Sequence, residues 1–194
     1  MNNKKLKIAE IIGVPVIYLI AVVLHFVYDL SNGSVLSILF GAVNESVWEH
    51  VKIFAAGYTI WAMIELLWLK PHYKKFVVAK TVSIYFLCLS IILFFYGYNI
   101  FTPKPWLWLD ILSSFVFVVL SQILSYRLIT CDRKIEDYFP ISAMALMMLF
   151  VMFFCFTVYP PKIDLFRDPV TGGYGIVKKY VDTGAFYLDK TYKM

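Results

Sequence analysis

The chain has 194 residues, of which 61% are hydrophobic and only 16% are charged, whereas soluble domains average about 45–50% and about 25%. A fold of this size cannot cover so much apolar surface with so few charges, so the composition excludes a soluble enzyme, a disordered chain and a collagen. The net charge of +5 would suit a nucleic-acid partner, but the cations cluster at the ends of apolar runs, where membrane topology explains them. The partner we expect is therefore the lipid bilayer and not nucleic acid.

Five segments are long and apolar enough to cross a hydrocarbon core about 30 Å thick. Their continuous apolar character favours helices over the alternating strands of a membrane barrel. We predict an all-α integral membrane protein with transmembrane spans at residues 8–28, 51–69, 77–101, 106–126 and 138–159. These spans and their connections form a predicted transmembrane bundle of residues 1–161.

Two further segments complete the predicted architecture. The connection 31–49 contains an apolar stretch that is too short to cross a bilayer and is typical of an interfacial or re-entrant helix. The sequence Tyr159-Pro-Pro161 ends the last span, because proline cannot continue a helix. Residues 162–194 are predicted to form an ordered extramembrane C-terminal tail that packs on the bundle through its aromatic side chains, Phe166, Tyr174, Tyr180, Phe186 and Tyr187.

The lysines and arginines near the span ends predict the orientation. Ten of them lie before the first span, around the connection between the second and third spans, and between the fourth and fifth spans, whereas the short loops on the opposite side contain only Lys52 and Lys104. Short cytoplasmic loops carry the excess of Lys and Arg. We therefore expect a multi-pass protein of the cell membrane with a cytoplasmic N-terminus and, after five crossings, a C-terminus outside.

Six ionisable residues fall towards the predicted outer face: His25, Asp29, Glu45, Glu49, His50 and Asp110. Charged groups within a membrane are costly and usually have a reason. Imidazole and carboxylate together are ligands for a divalent metal such as Zn, Mn or Fe. We predict that His25, Asp29, Glu49 and His50 are metal ligands, and that Glu45 and Asp110 are catalytic general bases.

The same residues also have structural interpretations. Ser46-Val-Trp-Glu49 has the spacing of a helix-capping box, in which Ser46 caps the second span and Glu49 reaches back. Glu49 is also placed for a modest surface-type ion pair with Lys52, and Asp110 for the positive end of its helix dipole. Glu65 lies about 22 Å from His50 along the same helix, so we expect it outside the cluster, extended to the cytoplasmic surface.

Three sequence motifs carry a resemblance to a known family. They are His25-Phe-Val-Tyr-Asp29, Val43-Asn-Glu-Ser-Val-Trp-Glu-His50, and Phe156-Thr-Val-Tyr-Pro-Pro161 with Leu165-Phe-Arg-Asp-Pro-Val-Thr-Gly-Gly-Tyr-Gly175. The chain resembles a family of small polytopic bacterial integral membrane proteins of unknown function with Asn-Glu-Ser-x-Trp-Glu-His and Pro-Pro / Asp-Pro-x-Thr-Gly motifs. The resemblance implies a polytopic membrane fold that includes the tail, and no known reaction.

Three functions remain open from the sequence. The polar cluster is consistent with a membrane protein whose activity is unassigned, in which the cluster is a structural hydrogen-bond network. The alternatives are a metal-dependent intramembrane hydrolase and a proton- or solute-coupled carrier. The residues specify neither a protein partner nor an oligomeric state.

Overall fold

The computed structural model describes residues 3–102 and 104–176, and six α-helices make up its architecture, with two short 3-10 helices at Ile135–Tyr138 and Asp164–Phe166. The α-helices are α1 (Asn3–Leu30), α2 (Val35–Phe40), α3 (Val47–Leu69), α4 (Tyr73–Asn99), α5 (Leu107–Thr130) and α6 (Phe139–Val158). All except α2 belong to segments that are long and apolar enough to cross a membrane. The predicted all-α class and the five long apolar helices are confirmed.

The second long helix, α3, begins earlier than the predicted span because of its N-cap. The hydroxyl of Ser46 accepts a hydrogen bond from the backbone N–H of Glu49 at 3.4 Å, which satisfies one of the free donors at the helix start. The reciprocal half of the predicted capping box is absent from the described part of the chain. Instead, the backbone N–H of Ser46 donates to the side chain of Asn44 at 2.9 Å.

The connection between α1 and α3 contains the short helix α2. Asn32 and Gly33 adopt positive φ angles of 51° and 75°, which turn the chain at the end of α1. Ser34 then caps α2 by accepting a hydrogen bond from the N–H of Ser37 at 3.3 Å. With six residues, α2 is too short to cross a bilayer, and it packs against α1, α3 and α6.

Helix α3 lies at the centre of the bundle. In the most apolar stretch of 18 residues, 61% of the residues of α3 are buried, compared with 17% in α1 and 22% in both α5 and α6. It packs against α1 and α4, α5 packs against both of those helices, and α6 packs against α4. Side chains placed on α3 are therefore the ones that neighbouring helices can surround.

The bundle has two ends. We call the end with the start of α1 the N-terminal end, and the end with α2 and the start of α3 the distal end. At the distal end, Phe166 is buried with ring centroids 5.0 Å from Trp48 and 5.4 Å from Phe156. Phe166 therefore packs on the bundle. Residues 177–194 of the predicted tail, including Tyr180, Phe186 and Tyr187, lie outside the described residues.

Gly13 permits a close approach of α1 to two other helices. A Cβ atom at this position would lie 2.1 Å from the side-chain nitrogen of Gln122 and 2.3 Å from the indole nitrogen of Trp61. Both distances are far shorter than a van der Waals contact, so a methyl group at this position requires the side chains of Gln122 and Trp61, or the helices that carry them, to shift. The absence of a side chain at Gly13 is thus a requirement of the packing.

We predict that Gly13→Ala lowers the stability of the detergent-solubilised protein by about 1–3 kcal/mol, the usual cost of overpacking. Gly97→Ala is the matched control, because Gly97 is also helical but a Cβ there meets no atom within 4 Å. Thermal unfolding followed by circular dichroism compares the two. Equal unfolding temperatures for the two variants would contradict the packing argument.

Candidate functional site

Two histidines and one glutamate converge at the distal end; we call them the distal cluster. His25 lies near the end of α1, Glu45 in the connection before α3, and His50 in the first turn of α3. The Oε2 atom of Glu45 lies 3.7 Å from Nε2 of His25 and 3.7 Å from Nε2 of His50. One ligand atom from each residue lies within 4.8 Å of the other two.

The orientation of His50 follows from its hydrogen bond to the backbone. Its Nδ1 atom lies 2.9 Å from the carbonyl oxygen of Ser46. A carbonyl can only accept, so Nδ1 carries the proton and donates. In a neutral imidazole this leaves the lone pair on Nε2, the atom that faces Glu45. A backbone carbonyl often orients a metal-binding histidine in this way.

The spacing of the distal cluster is close to that of a metal site. Zinc binds histidine nitrogen and carboxylate oxygen at about 2.0–2.2 Å, which in a tetrahedron corresponds to about 3.3–3.6 Å between ligand atoms. The two contacts of Glu45 exceed this range by a small margin. The side chains of His25, Glu45 and His50 are 23%, 27% and 38% exposed, so a small ion can reach them.

Two other predicted site residues flank the distal cluster. Asp110, in the first turn of α5, accepts a hydrogen bond from the hydroxyl of Tyr98 at 2.7 Å and interacts electrostatically with His50. Asp29 lies one helical turn beyond His25. Among the described residues, the group with metal-ligand spacing consists of His25, Glu45 and His50, so Asp29 is not part of it.

Glu49 lies in a different environment, which we call the distal network. Its carboxylate contacts the ammonium of Lys52 at 2.6 Å, accepts a hydrogen bond from the hydroxyl of Thr157 at 2.7 Å, and accepts another from the backbone N–H of Val43 at 3.1 Å. The side chains of Glu49 and Lys52 are only 2% and 1% exposed. The expectation of a surface-type ion pair was therefore wrong, because α6 and the α2 connection cover it.

The distal network holds the connection that carries Glu45. Lys52 also donates to the carbonyl oxygen of Ile38 at 3.0 Å, which ties α2 to α3. Asn44 donates to the carbonyl oxygen of Gly175 at 2.7 Å, which ties the same connection to the tail. Both residues adjacent to Glu45 are buried. The position of Glu45 between the histidines thus depends on contacts from three separate parts of the chain.

A third group of charges, the N-terminal triad of Glu10, Glu65 and Lys80, was not recognised from the sequence. The ammonium of Lys80 lies 3.0 Å from each carboxylate oxygen of Glu10 and forms a close ion pair with Glu65. Glu65 is fully buried, so the expectation that it extends to the surface was wrong. The available signal was an ionisable residue near the same predicted end of each of three apolar spans, since such residues usually pair with one another.

Comparison with known proteins identifies the family of the chain. Residues 1–176 match a family of unknown function, DUF6512. The chain belongs to the DUF6512 family. No curated protein and no solved structure matches the chain. The DUF6512 match includes all three charge groups and assigns no activity to them, and the bacterial origin and specific motifs expected from the resemblance stay predictions.

For the DUF6512 chain, we predict that Glu49→Gln lowers stability by about 3–5 kcal/mol, because it leaves the buried ammonium of Lys52 without its counter-ion. Glu49→Gln combined with Lys52→Met should lose less than the sum of the two single changes, since both remove the same interaction. Thermal unfolding in detergent measures these differences. Asp132→Asn, at an exposed position, is the control and should leave the unfolding temperature unchanged. Strictly additive losses would contradict the coupling.

Proposed function

We propose that this DUF6512 protein is a multi-pass protein of the cell membrane that binds a divalent metal ion at its distal end. Membrane insertion is supported by the distribution of polar and apolar side chains. Large apolar side chains are exposed along the helices, including Leu19, Leu67, Leu89, Leu112 and Met147. Soluble proteins rarely expose apolar patches of this extent, whereas lipid tails would cover them.

The interior supports the same proposal. Charged side chains of Glu10, Lys52, Glu65 and Lys80 are buried between the helices, where they contact one another or backbone groups. Ionisable residues in membrane spans almost always face the bundle interior and pair in this way. The excess of Lys and Arg near the N-terminal end favours a cytoplasmic position for that end. The distal end, with the distal cluster, is then outside.

The spacing of His25, Glu45 and His50 is the observation that supports metal binding most directly. Their three ligand atoms lie within 4.8 Å of one another, and the hydrogen bond of His50 to Ser46 directs its Nε2 atom towards the same point. Glu45, which the sequence pattern favoured as a general base, becomes a ligand in this proposal. Glu49 is not a ligand in this proposal, because its carboxylate forms an ion pair with Lys52 and accepts a hydrogen bond from Thr157.

Zn, Mn and Fe all accept imidazole and carboxylate ligands. A set of two histidines and one glutamate leaves a coordination position open, as in zinc hydrolases. A metal held by these three residues would activate a water molecule at neutral pH. Asp110 interacts electrostatically with His50, which favours a metal-dependent intramembrane hydrolase as the second candidate, with Asp110 as the general base.

We predict about one divalent metal ion per chain, the content expected of a single site, after purification in detergent without a chelating tag. His25→Ala, His50→Ala and Glu45→Gln should each reduce the content to background, because each removes one of three ligands. Elemental analysis by mass spectrometry measures the content. Background metal in the wild-type protein reconstituted with Zn, Mn or Fe would refute the metal site.

Two variants serve as controls for metal content. His72→Ala removes a histidine at the N-terminal end and should retain the metal. Asp110→Asn should also retain it while abolishing any metal-dependent hydrolysis. Loss of metal in folded His72→Ala would contradict the placement of the site at the distal end.

We predict that a cysteine at Lys104 is labelled in intact cells by a membrane-impermeant maleimide, whereas one at Lys134 is labelled only after permeabilisation. Lys104 lies in the connection at the distal end and Lys134 at the N-terminal end, and both are exposed. The background is a variant with Cys88, Cys131 and Cys155 replaced. The opposite labelling pattern would reverse the orientation, and release of the protein by salt alone would contradict membrane insertion.

A further inference from the structure

The N-terminal triad lies far from the distal cluster and plays no part in the proposed metal site. Its three members come from three helices: Glu10 from α1, Glu65 from α3 and Lys80 from α4. Their side chains are 4%, 0% and 4% exposed. Lys80 lies seven residues inside α4, which is about 10 Å from the helix start. The triad is therefore enclosed by protein within the predicted spans.

The triad contains two carboxyl groups and one ammonium. The charged neighbours of Glu65 are Lys80 and Glu10, and those of Lys80 are the same two glutamates together with the Tyr58 hydroxyl. Tyr58 donates a hydrogen bond to the carbonyl oxygen of Ser121 at 3.4 Å and is neutral. Helix α5 contributes the uncharged side chains Gln122 and Ser125.

Fully ionised, this arrangement would bury one negative charge in excess. An unbalanced charge away from water is far more costly than a neutral group, and a carboxyl group in such a place takes up a proton instead. The distal network provides a contrast, because Glu49 and Lys52 there balance one to one. The N-terminal triad needs one additional positive charge to reach the same balance.

The contacts of the two glutamates differ. Both carboxylate oxygens of Glu10 accept hydrogen bonds from the Lys80 ammonium at 3.0 Å. Its Oε1 atom accepts a further hydrogen bond from the hydroxyl of Ser125 at 2.7 Å. These three contacts stabilise an ionised carboxylate. Glu65 contacts the Lys80 ammonium through Oε2 and faces the indole N–H of Trp61, so among the described residues it has fewer contacts that stabilise an ionised carboxylate than Glu10 has.

We propose that Glu65 is a proton-binding site, and that the N-terminal triad holds one proton on this carboxyl group at neutral pH while Glu10 and Lys80 form an ion pair. A metal cation would fit poorly in its place, because hard cations require several oxygen ligands. Both glutamates of the triad already contact the Lys80 ammonium, which takes the position between them that such a cation would need.

Infrared spectroscopy tests this proposal directly, because a protonated carboxylic acid has a carbonyl stretch that a carboxylate lacks. The wild-type protein in detergent at neutral pH should show this band. Glu65→Gln should abolish it, and Glu10→Gln should also abolish it, because removal of either glutamate leaves Lys80 balanced by the other. Asp110→Asn is the control for a proton at the distal end and should retain the band.

Shorter acidic side chains locate the proton and avoid the risk that the Gln variants fail to fold. Glu65→Asp should shift the frequency of the band, because the protonated group itself changes, whereas Glu10→Asp should leave the frequency in place. Circular dichroism confirms that both variants are helical. A wild-type protein without the band, a band retained in folded Glu65→Gln, or a shift in Glu10→Asp alone would each overturn the proposal.

A second measurement excludes a metal cation as the source of the missing charge. The thermal unfolding temperature should be the same in sodium, potassium and choline chloride at equal ionic strength. A stabilisation by sodium or potassium that Glu65→Gln abolishes would overturn the proposal in favour of a cation site. Both measurements are independent of the metal content of the distal cluster, so the two proposals fail separately.

Discussion

The buried ammonium of Lys52 is the group on which the distal end of the molecule depends. A lysine ammonium that is buried away from water requires acceptors for its three N–H groups. For Lys52 these acceptors are Glu49, Thr157 and the carbonyl oxygen of Ile38. These acceptors come from α3, α6 and α2. One charge therefore joins three helices and determines the path of the connection that carries Glu45.

The molecule reverses the usual distribution of side chains. Apolar residues cover the outer faces of the long helices, and the charged residues Glu10, Glu49, Lys52, Glu65 and Lys80 lie between them. In the bilayer that we propose surrounds these helices, apolar burial would not drive them together, so packing of small residues and polar contacts would contribute a larger share of the stability. Gly13 and the two buried charge groups are the corresponding features here.

Glu45 and Glu49 show how far the sequence supports a site assignment. They are four residues apart in the sequence, which is the spacing of one helical turn, and both are close to His50. The sequence pattern therefore makes both plausible ligands. The choice between them comes from Lys52 and Thr157, which occupy Glu49, and from His25, which faces Glu45. Thr157 is 108 residues from Glu49, so no local pattern contains this information.

The sequence by itself determined the helical class, the number of long apolar segments and the N-cap at Ser46, because these depend on local composition and on hydrogen bonds within one helical turn. Only the tertiary structure determined which charged side chains contact one another. Glu65 and Lys80 lie in adjacent spans, yet their pairing with Glu10 requires the rotation of three helices about their axes, which is set by packing contacts such as that at Gly13. Side chains distant in sequence share an environment only after those rotations are fixed.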